Sequence, residues 1–73
     1  MMTNAEFATN LVLLGFALEK TLNHLSFYSH SNIQVFRIAA NHINVWNGTE
    51  RSRFTSKEKA LEFIVATLQE SKP

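Results

Sequence analysis

Arg51, Arg53, Lys57 and Lys59 fall within nine residues, close to Trp46 and Phe54. Guanidinium and ammonium groups neutralise phosphates and an aromatic ring stacks a base, so this is the pattern of a local nucleic-acid-binding patch. Glu50, Glu58 and Glu62 are interleaved with these cations and offset their field. The plainer reading is a solvated strand edge followed by a solvated first turn of helix. A second set is aromatic: Tyr28, Phe36 and Trp46 are expected to share one side of a sheet. Trp and Tyr are enriched among the residues that dominate protein interfaces, which makes these three the candidate partner-binding residues. The histidines are His24, His30 and His42, with His30 and His42 expected on neighbouring strands. Zinc takes three or four ligands, and no ligand-spacing motif surrounds them, so no metal is expected. Ser26, Ser29 and Ser31 accompany His24 and His30, but the chain contains no Asp to orient an imidazole. The absence of Cys removes a thiol nucleophile and thiolate ligands as well. These residues predict neither catalysis nor a cofactor.

Composition narrows the partner. The chain has 73 residues and a formal net charge of +1. It is expected to form one domain over residues 1–73. A chain of this size buries only about 60% of the surface its unfolded form exposes. With no disulfide available, association with a partner, a second copy included, is one route to stability. Nucleic-acid binders generally carry a basic excess, and here only a local stripe is present. No basic segment precedes the first apolar residues, and no purely apolar run is longer than residues 11–14, far short of a membrane span. A soluble, cytoplasmic chain with no membrane partner is expected.

The elements that position these groups follow from local signals. Thr3 and Glu6 have the spacing of a capping box, and Phe7, Ala8, Leu11, Val12 and Leu14 recur at helical spacing behind it. Gly15 followed by Phe16 suits a left-handed helix stop with an apolar contact after it. The rival is one long helix through Leu18, Leu22 and Leu25, in which Gly15 costs about 1 kcal/mol relative to Ala; the stop is the reading adopted. Residues 25–30, 33–38 and 42–46 alternate as strands, separated by short polar turns. Asn47-Gly48 is the strongest hairpin dipeptide, and predicts a type I′ turn on those two residues. The polar arm at 49–54 reads as a protected edge. Ile43 and Val45 then point to the helices, and Asn44 and Trp46 away. Thr55 and Glu58 repeat the capping-box spacing before a helix at 56–70, whose apolar face contains Ala60, Leu61, Phe63, Ile64, Val65 and Leu68.

The expected fold is α+β: a two-layer α-β(3–4)-α arrangement, with an antiparallel β-meander packed against an N-terminal and a C-terminal helix. The order resembles that of double-stranded-RNA-binding domains and of HicA-type RNA-cleaving toxins. The first resemblance implies cations at the start of the last helix, where Lys57 and Lys59 stand with Glu58 between them. The second implies a catalytic His24, although the Gly-Ser that precedes this His in those toxins is replaced by Leu22-Asn23. In size and style the chain resembles accessory proteins of phages and mobile elements. The expected function is that of a small non-catalytic interaction protein. It would bind a protein partner, or itself as a homodimer, through an open sheet face and the 42–54 hairpin. Nucleic-acid binding by the basic patch is the alternative, and a HicA-like RNase the distant third.

Overall fold

The computed structural model describes residues 2–22, 25–38 and 42–70, the side chain of Leu22 excepted. Helix α1 (Asn4–Leu13) starts on the capping box read from the sequence. The Glu6 amide donates to Thr3 Oγ1 at 3.1 Å, and the Thr3 amide donates to Glu6 Oε1 at 2.9 Å. The helix stops at Gly15, whose φ is +102°. The Phe16 amide donates to the Leu11 carbonyl and the Gly15 amide to the Val12 carbonyl, a Schellman closure that satisfies two end carbonyls. Phe16 and Leu11 are both buried beneath that closure. The backbone angle calls for Gly here, and a methyl group on Gly15 would come 3.2 Å from His30 Cε1, a tight contact that the His30 ring would have to relieve by a small shift.

Five antiparallel strands follow in sequence order: β1 (Ala17–Leu22), β2 (Leu25–His30), β3 (Ile33–Ile38), β4 (His42–Asn47) and β5 (Glu50–Phe54). This is the expected meander, with five strands where three or four were predicted. The addition is β1, whose Ala17, Leu18, Glu19 and Lys20 are good helix formers. Once Gly15 has ended α1, pairing with β2 overrides that propensity. Helix α2 (Lys57–Glu70) completes the chain. Its N-cap is Ser56 rather than Thr55: Ser56 Oγ accepts from the Lys59 amide at 3.3 Å, and the Ser56 carbonyl accepts from the Ala60 amide at 3.0 Å. The extended β5 runs through Phe54, which delays the helix by one residue.

Both helices cover the same side of the sheet. Phe7 and Leu11 of α1 and Ala60 and Ile64 of α2 form one buried cluster with Tyr28, Ile33, Val35, Ile43 and Val45. Directly opposed residues of an antiparallel pair share a face, so the register sorts every strand. Tyr28, Val35 and Val45 form one inward row, and Ser26, Arg37, Ile43 and Phe54 another. The expectation that Ile43 and Val45 face the helices holds.

The hairpin at the sheet's end differs from the expected one by one residue. Asn47 pairs with Glu50, so the two turn residues are Gly48 and Thr49. Gly48 has φ +65°, and no other residue in 42–54 has positive φ among those described. Positive φ at the first central position alone is the type II′ pattern, for which Gly-X is suited, rather than the type I′ pattern. The β2–β3 turn repeats it with a non-glycine: His30 pairs with Ile33, and Ser31 has φ +56°.

Candidate interaction face

The side of the sheet away from the helices is lined by two central rows. The first runs Ser29, Gln34, Trp46, Arg51, and the second Lys20, Phe27, Phe36, Asn44, Arg53. Leu25, Ile38 and His42 continue the face toward its far end. Trp46, Phe36 and Phe27 are half-buried by their neighbours, and no helix covers them; Ile38 is 44% exposed.

The aromatic rings are packed in a particular way. Phe27 and Phe36 stack with centroids 4.6 Å apart and planes 10° from parallel. Neighbouring strands are about 4.8 Å apart, so these rings stand upright, face to face across the strand gap, with their edges outward. The Arg51 guanidinium lies over the Trp46 ring, 5.8 Å from its centroid. Asn44 sits between Phe36 and Arg53, and its Oδ1 is buried without a hydrogen-bond partner among the described residues.

Of the three aromatics expected on this face, Phe36 and Trp46 lie on it and Tyr28 does not. Tyr28 is only 3% exposed and is opposed to Val35 on the helix side. The reason is the turn at Ser31-Asn32, which pairs residues equidistant from it: Phe27 meets Phe36, and Tyr28 meets Val35. Phe27 takes the place expected for Tyr28. Phe27 is the aromatic of this face that sequence reasoning missed, and the symmetry about that turn is the signal that identifies it; Asn44 lies on the face, as its alternation with Ile43 and Val45 predicts.

The four cations of the basic cluster are separated by the fold. Arg51 and Arg53 project from β5 onto the open face, opposite Trp46 and Asn44. Lys57 and Lys59 open α2 in the other layer. The acids divide as well. The open face has Lys20, Arg51 and Arg53 against Glu19, which accepts from Ser29 Oγ at 2.7 Å. The helix side has Arg37, Lys57 and Lys59 against Glu6, Glu50, Glu58, Glu62 and Glu70. A chain that is nearly neutral as a whole therefore has a cationic sheet face and an anionic helix face. Glu58 is also a structural residue: its Oε2 accepts from the Met2 amide at 3.0 Å, tying the start of the chain to α2. Its own backbone N–H, the Met2 N–H and the Ser56 hydroxyl hold its carboxyl below the usual range.

His30 and His42 are not brought together. His30 faces the helix side beside Phe16, with ring centroids 5.4 Å apart, while His42 is opposed to Ile38 on the open face at the other end of the strands. Among the described residues no group of His and Glu is placed to hold a metal ion. Ser26 Oγ accepts from Arg37 Nη2 at 3.0 Å, and Ser29 Oγ donates to Glu19 Oε2 at 2.7 Å. His24 lies outside the described residues. A cleft of about 650 Å³ opens where α1 and α2 end, with His30, Asn32 and Asn47 on one wall and Leu13, Val65 and Leu68 on the other. No described helix is long and apolar enough to cross a membrane. Compared with protein-family models, curated proteins and solved structures, the chain matches none.

Proposed function

We propose that this chain is a small non-catalytic interaction protein whose open sheet face and 42–54 hairpin engage a protein partner. The observation that carries this reading is the uncovered set of Phe27, Phe36 and Trp46, on two neighbouring rows of a sheet whose opposite side is closed by both helices. Half-buried aromatics on an exposed, mixed apolar and cationic surface are the composition of interface cores, rich in Trp, Phe and Arg. A partner that covers them gains the apolar area the two-layer fold leaves in water.

The nucleic-acid reading draws support from the cationic sign of the same face. Its ring geometry favours it less. A sheet that stacks bases presents ring faces to the ligand. Here Phe27 and Phe36 each turn one face to the other, and the Arg51 guanidinium lies over one face of the Trp46 ring. The separation of Lys57 and Lys59 from Arg51 and Arg53 also leaves fewer cations for one phosphate track.

Photo-cross-linking tests the proposal. A photoreactive residue replaces Phe36 on the sheet face or Glu62 on the helix face, in the chain expressed in its own host. A discrete protein adduct from position 36, absent from position 62, is expected. Nuclease-sensitive adducts from position 36, or equal protein labelling from both positions, would count against it.

A further inference from the structure

Strand β5 is an edge of the sheet, and its two outward positions are both arginine. In a two-residue hairpin the pair flanking the turn exchanges backbone hydrogen bonds, and such pairs alternate along the ladder. Asn47 and Glu50 are that closing pair. Glu50, Ser52 and Phe54 therefore direct their backbone groups to β4, whereas Arg51 and Arg53 direct theirs to the free edge. The same two residues place their side chains on the open face. Neither makes an ion pair among the described residues; Arg51 lies over Trp46.

The opposite edge is different. Strand β1 has a register irregularity between Leu18 and Lys20, a bulge of the sort that disrupts further pairing. The β5 register is regular throughout. The sheet therefore has one blunted edge and one edge with free donors, free acceptors and two cations in phase.

We infer that the β5 edge accepts an extended acidic segment of the partner as an added antiparallel strand, with carboxylates two residues apart opposite Arg51 and Arg53. This rests on the protein-partner reading and names its chemistry. Strand residues two apart are separated by roughly 6.6 Å and share a face, so acids at that spacing meet both guanidinium groups while the backbone ladder forms beside them. A second copy fits this edge poorly. Two β5 strands paired about a two-fold axis at Ser52 would oppose Arg51 and Arg53 of each copy, collecting four guanidinium groups on one face, and directly opposed like charges destabilise a sheet. The charge that keeps this edge from pairing with itself also selects an acidic guest.

Synthetic peptides test this on the full chain by amide-resolved NMR titration. The probe is an alternating Thr-Glu peptide, compared with its Thr-Lys counterpart and an oligothymidylate. The Thr-Glu peptide is expected to shift residues 50–54 and to bind at least roughly tenfold more tightly than Thr-Lys. Arg51→Glu with Arg53→Glu should reverse that order, with an otherwise unchanged spectrum showing that the variant is folded. N-methylation at the Glu amides, which face β5 in this pairing, should abolish binding, and N-methylation at the Thr amides should be tolerated. Equal binding of both peptides, shifts confined to the helices, or tighter binding of the oligothymidylate would overturn the inference. If the peptides fail while position 36 still cross-links a protein, the edge assignment is wrong and the protein-partner reading survives. If position 36 yields no protein adduct, that reading falls by itself.

Discussion

The Arg51 guanidinium rests over the Trp46 indole across the β4–β5 pair, 5.8 Å from the ring centroid. An exposed contact of this kind contributes about 0.5–1 kcal/mol. The cation and the indole share one surface of the sheet. Because Trp46 lies outside the helix-side core, Trp46→Ala is expected to leave the fold mostly intact. Association with the partner should weaken by about 2 kcal/mol or more if the indole is an interface anchor. Thermal denaturation and partner affinity, measured on the same variant, separate the two effects; loss of the thermal transition in the isolated variant would place Trp46 in the core.

Asn44 is a second test of the same face. Its Oδ1 is buried between Phe36 and Arg53 with no partner among the described residues. A buried unsatisfied acceptor costs about 1–3 kcal/mol. Asn44→Val removes that acceptor and places a β-branched residue in a central strand. The variant is expected to be more stable in isolation by about 1 kcal/mol and to bind the partner less tightly. Denaturant titration checks the first expectation and partner affinity the second.

The two type II′-like turns make opposite predictions. Ser31 has φ +56° where Gly48 has φ +65°. A non-glycine residue at positive φ costs about 1–2 kcal/mol, partly offset in Ser31→Gly by the larger chain entropy of Gly in the unfolded state. Ser31→Gly is expected to stabilise by about 0.5 kcal/mol. Gly48→Val should destabilise by about 2 kcal/mol. Nothing lies within 4 Å of an added Cβ at Gly48, so no clash of that atom contributes and the expected loss comes from the positive φ. Denaturation midpoints of the two variants measure both signs.

Acid should loosen the N-terminal ties. The Thr3 backbone N–H, then the Thr3 hydroxyl, hold the Glu6 carboxyl below the usual range. Glu58 is held low by its own backbone N–H, then by that of Met2. A depressed folded-state value means the unfolded chain binds more protons. The stability these groups contribute is therefore complete above the ordinary Glu range, near pH 4.3, and is lost as pH falls through the lower folded values. Glu6→Gln with Glu58→Gln should flatten the acid limb of a stability-against-pH curve and leave the slope above neutral pH unchanged.

Local signals carried most of the fold. The Thr3 and Glu6 box, the Gly15 stop and the inward pair Ile43 and Val45 were legible because each depends on neighbours in sequence. Residues 17–22 were not, since their helical composition yields to pairing with β2. The turn moved from Asn47-Gly48 to Gly48-Thr49 because one positive φ at Gly suffices for the II′ form, which leaves Asn47 in the ladder. Ser56 displaced Thr55 as the cap because both residue types can cap and β5 extends to its limit. The face itself was half legible. Trp46 and Phe36 follow from alternation, but alternation within β2 alone cannot say which of Phe27 and Tyr28 points inward. That choice belongs to the pairing with Ile33 and Val35, which are buried.

Oxidative footprinting inside the host cell, compared with the purified chain, tests the central claim most directly. Hydroxyl radicals modify exposed aromatic side chains, and the two faces have separate reporters: Trp46, Phe27 and Phe36 on the open face, and Phe54 and Phe63, 5.3 Å apart, on the helix side. The account predicts that Trp46, Phe27 and Phe36 become protected in the cell, that nuclease treatment of the lysate leaves this protection in place, and that Phe54 and Phe63 are modified equally in both samples. Equal modification of Trp46 in the two samples, protection confined to Phe54 and Phe63, or protection lost on nuclease treatment would contradict it.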